Sequence, residues 1–356
     1  MSSKENKKFN YRLKNISPSL ISVIAQIDEC KGRWVSGLNL NPQVLGRLKK
    51  SVLITSTGSS TRIEGAKLSD QDIEKMMRGI SMQKFVDRDS QEVVGYYELL
   101  ENIFNSYQNI KFSENIIKSF HKEILKYSTK DKSHRGEYKK QENKVHMINE
   151  VGQSVGILFN TTDAYLTPKE MQELVEWTQF SLAQNIFHPL LVIANFLVEF
   201  LKIHPFQDGN GRLSRALTNF LLLCQGYLYV PYVSHEKLIE DNKADYYLAL
   251  RQTQKTFGTK KEDLSTWLDF FLKIFLEQSR QAVGLLEMDD ISKILSPKQL
   301  IVWNYFFEKE EVSVGDILAH TKIARPTIKQ ILNVLVKFKK IELIGRGRAS
   351  RYRRVD

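Results

Sequence analysis

Apolar residues recur at helical spacing along almost the whole chain. In 18–31, Leu20, Ile21, Ile24 and Ile27 share one side of a helix. Ser17 stands at its N-cap and Pro18 in the favoured first position. Residues 42–54 repeat that design behind Asn41. The stretch 69–80 carries acids early and a base late, as the helix dipole prefers. Amphipathic helices are predicted over 91–108, 114–126 and 169–185. Residues 190–203 are almost wholly apolar, which predicts a core helix. Helices over 212–227, 246–253 and 263–284 complete a mainly α chain.

One section breaks the period. Val145-His146-Met147-Ile148 and Val155-Gly156-Ile157-Leu158-Phe159 flank the turn residues Asn149-Glu150-Val151-Gly152, the pattern of a β-hairpin. After residue 285 the elements become short. Helices are predicted over 297–310, 314–320 and 325–338. Two strands, 341–344 and 350–353, then flank Gly345-Arg346-Gly347-Arg348. We therefore divide the chain into a helical head (1–110), a middle (111–285) and a tail domain (286–356).

The chain has 356 residues and is 42% hydrophobic, enough for two or three cores. No apolar run reaches the length of a membrane span. Residues 1–10 are polar and basic, unlike a secretory signal, so a cytoplasmic location without membrane attachment is expected. Cys30 and Cys224 are the only cysteines, and both read as buried free thiols. Net charge is +11, and residues 337–356 hold eight bases against two acids.

The chemistry concentrates in His204-Pro205-Phe206-Gln207-Asp208-Gly209-Asn210-Gly211-Arg212-Leu213-Ser214-Arg215. Gly209 and Gly211 lack a Cβ, so the backbone can adopt positive φ and approach a ligand. The helix that follows presents its N-terminus, where N–H groups and the dipole favour anions. Arg212 and Arg215 lie three apart on one face and suit phosphate oxygens. Asp208 suits Mg2+, a cation that takes one or two carboxylates plus phosphate oxygens. His204 titrates near neutrality and is the candidate base.

This run resembles the His-x-Phe-x-Asp/Glu-Gly-Asn-Gly-Arg-x-x-Arg motif of Fic (Fido-fold) proteins at every defined position. The resemblance implies a Fido-fold helical bundle with a β-hairpin flap. It also implies transfer of AMP from ATP to a Ser, Thr or Tyr hydroxyl of a target protein. His204 would then be the base and Phe206 the inward anchor of the loop. Asp208 would coordinate Mg2+. The turn Gly209, Asn210 and Gly211, with Leu213 and Ser214, would cradle phosphates. Arg212 would contact the β-phosphate and Arg215 the γ-phosphate.

Ser59-Ser60-Thr61-Arg62-Ile63-Glu64-Gly65 resembles the inhibitory Ser/Thr-x-x-x-Glu-Gly/Asn motif of the same family, with Ser60, Glu64 and Gly65 in the defining places. It implies that Glu64 pairs with Arg215 and removes the cation that holds the γ-phosphate. Some inhibited members also remove AMP from modified targets, a second direction open to this chain. The resemblance extends to a target segment paired to the 145–158 flap by strand addition, to self-modification and to homodimers. Tyr246-Tyr247 resembles the aromatic pair near the family's adenine pocket, with Tyr247 the candidate base contact and Gln254 a weaker one. Two features depart from common family patterns. Thr161-Thr162-Asp163-Ala164-Tyr165 replaces a proline-rich run after the flap, and Leu197 stands where many relatives have His.

The tail resembles a winged helix-turn-helix domain. Arg325, Thr327, Lys329, Arg346 and Arg348 are its candidate DNA contacts within 325–354, with protein docking or dimerisation the alternative role of this domain. Two functions follow from the sequence. One is a Mg2+-dependent protein adenylyltransferase held down by Glu64. The other is a DNA-binding regulator that uses the nucleotide pocket as a sensor. An intact base and metal carboxylate favour turnover, since sensing needs neither.

Overall fold

The computed structural model describes residues 7–37, 42–78, 88–148, 154–309, 311–338, 340–345 and 350–355. The chain divides into two compact units, Met1–Val283 and Gly284–Asp356.

The first unit runs α1 (Lys7–Arg12), α2 (Pro18–Ser36), α3 (Pro42–Ile63), α4 (Asp70–Arg78), α5 (Arg88–Ser106) and α6 (Glu114–Ile124). The antiparallel hairpin β1 (Lys144–Ile148) and β2 (Ser154–Asn160) follows. Then come α7 (Thr167–Ala183), α8 (Pro189–Ile203), α9 (Asn210–Cys224), α10 (His235–Asp241), α11 (Lys243–Gln254) and the first part of α12 (Ser265–Ile294), which continues past Val283. The architecture is mainly α with a short hairpin, as the sequence predicts. No helix among the described residues is long and apolar enough to cross a membrane.

Helix α8 lies at the centre because it is apolar on every side: all residues from Leu190 to Leu201 are buried. Its one buried acid, Glu199, accepts from Arg12 Nη1 and Lys8 Nζ, each at 2.7 Å, so the charge is paired. The Ser17 cap forms, its Oγ accepting the Leu20 N–H at 3.4 Å.

Three differences from the sequence reading have physical causes. Helix α3 continues nine residues past 54, through Thr55-Ser56-Thr57-Gly58-Ser59-Ser60-Thr61, a stretch of poor helix formers. Packing decides: Ser56, Thr57, Ser59, Ser60 and Thr61 are all buried, and α3 lies against α5 and α10. Helix α10, unforeseen, starts at the Ser234 cap, whose Oγ accepts the Lys237 N–H at 3.1 Å. Cys224 was expected to be buried; as the last residue of α9 it is exposed, whereas Cys30 is buried.

The second unit contains α13 (Pro297–Tyr305), β3 (Glu311–Val312), α14 (Val314–Thr321), α15 (Arg325–Lys337), β4 (Ile341–Ile344) and β5 (Arg351–Arg354). Its three strands pair in the order β3–β5–β4. A core of its own includes Val302, Trp303, Ile317, Ile328 and Leu332. The Asn41 cap, the turn Asn149-Glu150-Val151-Gly152 and the arginines Arg346 and Arg348 lie outside the described residues.

Candidate active site

Helix α8 delivers His204 as its C-cap. The imidazole residue adopts φ 51°, ψ 60°, and its N–H bonds to the Phe200 carbonyl at 2.9 Å. Left-handed backbone costs a non-glycine residue about 1–2 kcal/mol, so the surroundings must hold it there. Nδ1 lies 3.2 Å from the Leu201 carbonyl oxygen. A carbonyl only accepts, so Nδ1 carries the proton and the lone pair sits on Nε2. Burial, with the nearby Lys139 charge, pushes the His204 pKa down to about 4, so the ring is neutral at pH 7.

The loop that follows folds on its own side chains. Phe206 is fully buried and stacks on His121, ring centroids 3.8 Å apart. The Asn210 side chain accepts the Phe206 N–H at 2.9 Å and donates to the Phe206 carbonyl at 2.7 Å. Gly209, at φ 78°, is the N-cap of α9, and no side chain caps that helix end. The leading N–H groups of α9 are therefore turned toward the site. His121 Nδ1 accepts the Gly136 N–H at 2.9 Å, so Nε2 donates to the Asp208 carbonyl at 3.0 Å. Burial lowers the His121 pKa to about 4 and keeps it neutral.

Asp208 belongs to a closed ring of alternating charge. One oxygen accepts from Arg88 Nη2, and the other accepts the Gly209 N–H at 2.6 Å. Arg88 Nε reaches Glu92 at 2.7 Å, Glu92 reaches Arg212 Nη1 at 2.8 Å, and Arg212 Nη2 returns to Asp208 at 3.5 Å. Burial works against the Asp208 charge, but Arg212, the Gly209 N–H and Arg88 outweigh it and lower the pKa. Among the described residues no three His, Cys, Asp or Glu side chains gather as a metal cage. A single half-buried carboxylate beside an anion cradle suits a cation that binds mainly through waters and phosphate oxygens.

The end of α3 closes over this cradle. Arg215 Nη2 donates to Glu64 Oε1 at 2.7 Å and to the Ser60 carbonyl at 2.8 Å, while Nε donates to Ser60 Oγ at 2.9 Å. Burial opposes the Arg215 charge, yet Glu64 and two tyrosines hold its pKa above the ordinary arginine value. The Glu64 carboxylate also lies on Gly211, where any Cβ would collide with it. Gly65, at φ 104°, ends the helix directly behind Glu64. Arg62 fixes the same turn, donating to Glu240 at 2.6 and 3.0 Å and to Asp70 at 2.9 Å.

Other expected site residues are placed as follows. Leu213 has its side chain in the core, and Ser214 Oγ turns back to the Gly211 carbonyl at 2.8 Å. Tyr246 is 3% exposed, packed on Trp267 and Phe270. Tyr247 is half-buried and faces the end of α3, its hydroxyl 3.5 Å from the Ile63 carbonyl. Gln254 is buried and donates to the Val198 carbonyl at 3.2 Å. Arg325 and Lys329 are exposed on α15. Sequence reasoning missed Arg88, Glu92, His121, Lys139 and Asn143. All lie 61 or more residues from the loop positions they touch, and no local spacing marks them.

Residues 111–222 match the model of the Fic/DOC family. The chain is 29% identical over 111 residues to a probable protein adenylyltransferase of Aquifex aeolicus, covering 31% of this chain and 34% of that protein. A Fido domain-containing protein of Dictyostelium discoideum is 38% identical over 71 residues, covering 18% of this chain and 47% of its own. The matched stretches thus span a third to under half of these relatives. A crystallised Fic family protein from Desulfovibrio desulfuricans G20 aligns with a TM-score of 0.61 at 24% identity, covering 96% of this chain and 97% of that one. A Fic domain containing signaling protein from Bacteroides thetaiotaomicron aligns with a TM-score of 0.60 at 22% identity, covering 74% and 97%. At such identities the likeness is one of fold. Residues 111–222 thus carry the similarity to the Fic/DOC family, and the chain shares the fold of crystallised Fic proteins.

Proposed function

We propose that the protein is an autoinhibited adenylyltransferase that moves AMP from ATP to a hydroxyl of a protein target. The observation that carries this reading is the Glu64 carboxylate lodged on Gly211 and Arg215, an anion seated where a phosphate would be held. The triphosphate would lie across the start of α9, with Arg212 and Arg215 on its β- and γ-phosphates. The target hydroxyl attacks the α-phosphorus and a new P–O bond forms. The bond to the bridging oxygen of the β-phosphate breaks, pyrophosphate leaves, and His204 Nε2 takes the hydroxyl proton. The α9 amides and the two arginines meet the charge that builds on phosphate, which is usually the largest contribution to such catalysis. Asp208 would hold Mg2+, which when bound neutralises phosphate charge; Arg88 must then give way. A target segment would pair with the edge of the β1–β2 hairpin, which no other described strand pairs.

Labelled ATP with Mg2+ tests the reading. Incorporated mass should equal one AMP per modified residue, and a different increment would redirect the donor assignment.

For the second unit we propose DNA contact through the start of α15, supported by the exposed Arg325 and Lys329. Charge reversal at both should abolish retardation of duplex DNA. Retardation that persists removes this contact.

A further inference from the structure

Resting on that reading, we propose that Lys139 and Asn143 are positioning residues for His204. Together they cap four successive loop carbonyls and tie the catalytic loop to the root of the hairpin.

The four carbonyls are those of residues 203 to 206. Lys139 Nζ donates to Ile203 O at 3.0 Å, and its backbone N–H donates to Pro205 O at 2.8 Å. Asn143 Nδ2 lies 3.4 Å from His204 O and 2.9 Å from Phe206 O. A helix end leaves its last carbonyls without intrahelical partners, and His204 sits there in left-handed backbone. Capping the carbonyl on each side of that residue, and its own, is how a strained turn is made the only one available. The conformation fixes where the ring points, and with it the Nδ1 bond to Leu201 that leaves the lone pair on Nε2.

Lys139 is matched to this task by proton count. An ammonium has three N–H bonds, and Nζ has three acceptors: Ile203 O, Asn143 Oδ1 at 2.8 Å and Thr161 Oγ1 at 2.9 Å. The side chain is 3% exposed, so none of these bonds competes with bulk water. Thr161 Oγ1 in turn lies 2.8 Å from the Asn143 carbonyl and closes the knot. A planar guanidinium cannot aim three protons of one nitrogen at three converging oxygens, so arginine is not equivalent here.

The location gives the knot its further meaning. Asn143 immediately precedes β1 and Thr161 immediately follows β2. One foot of the hairpin is therefore bonded directly to the loop that carries the base, and the other reaches it through Lys139 and Asn143. A segment pairing with the hairpin would be placed in register with His204 through Lys139, with no contact to the nucleotide side of the site.

The test uses the full chain in a Glu64→Gly background. Asn143→Asp keeps the acceptor for Lys139 but removes both donations to the loop carbonyls. We expect MgATP affinity by calorimetry to stay within about twofold and kcat for AMP transfer to fall tenfold or more. Histidine ring 15N spectra should show the His204 Nδ1–H tautomer in the parent and its loss in the variant. An unchanged kcat, or a kcat that falls only in step with MgATP affinity, overturns the positioning role. Should the parent transfer no AMP, the adenylyltransferase reading fails, and the ring spectra still decide: an unaltered His204 pattern in Asn143→Asp sinks the proposal. Should Asn143→Asp not fold, Thr161→Val, which deletes one Lys139 acceptor, is expected to alter the same ring signals, and unaltered signals overturn it.

Discussion

Glu64 Oε1 lies 2.7 Å from Arg215 Nη2, although the two residues are 151 apart in the chain. The same carboxylate rests on Gly211 in the first turn of α9, so it lies against that helix start as well as pairing with one of its arginines. Both effects disappear together when the carboxylate is removed. A hydrogen bond to a charged group contributes about 1.5–3 kcal/mol, which converts to roughly ten- to a hundredfold at about 1.4 kcal/mol per decade. Glu64→Gly is expected to raise AMP incorporation by that range. Equal incorporation by wild type and variant would remove the inhibitory role.

The grip of Glu64 depends on the last turn of α3 staying wound. Arg62 holds that turn to α10 through Glu240 and to α4 through Asp70. Both ion pairs are partly exposed, which limits what each contributes. Arg62→Ala should therefore activate only about two- to tenfold, less than Glu64→Gly. Backbone hydrogen exchange over 57–64 should accelerate at the same time. Protection that stays at the wild-type level would separate the helix end from Arg62.

In the proposed function, Arg88 would compete with a divalent cation for Asp208. Its guanidinium occupies one carboxylate oxygen, while Glu92 balances the remaining charge. Replacing Arg88 by Ala should lower the Mg2+ concentration needed for nucleotide binding by about two- to fivefold, the scale of one partly exposed ion pair. Calorimetric ATP titrations at stepped Mg2+ provide the measurement. A raised Mg2+ requirement would mean that Arg88 helps to hold the phosphates and does not merely guard the carboxylate.

His235 adds a pH dependence to stability. It is fully buried, and neither ring nitrogen makes a hydrogen bond among the described residues. Burial lowers its pKa, opposed by Glu236 and reinforced by Arg215. The folded protein thus keeps the ring neutral, while the unfolded chain titrates near 6.5. Its contribution is complete above that pH and is withdrawn as the pH falls, by at most about 1.4 kcal/mol per pH unit for one proton. His235→Phe should pack against Phe275, 5.6 Å away in the native pair, and flatten the fall in Tm between pH 6.5 and 5. A parallel fall in both proteins would assign the pH dependence elsewhere.

The sequence made the local parts of this site legible. Glycine spacing and the apolar run after residue 211 marked the α9 N-terminus, and the almost wholly apolar 190–203 stretch marked the helix that presents His204. These features lie within one or two elements, where periodicity and turn chemistry act. The contact of Glu64 with Arg215 was legible only through a family motif. Residues 55–61 are poor helix formers, and burial against α5 and α10 is what winds them. The Arg88–Glu92 side of the charge ring and the Lys139 knot had no local signature. Their function depends on which distant carbonyls and carboxylates the fold brings near.

The central claim is that His204 removes the proton from a hydroxyl that attacks ATP at a site Glu64 blocks. Intact-mass measurement after incubation with ATP and Mg2+ compares Glu64→Gly with the double variant Glu64→Gly/His204→Ala, using the protein itself and a cell extract as acceptors. AMP additions that appear with the first and vanish with the second are the predicted result. Additions of equal extent in both, or none in either, contradict it.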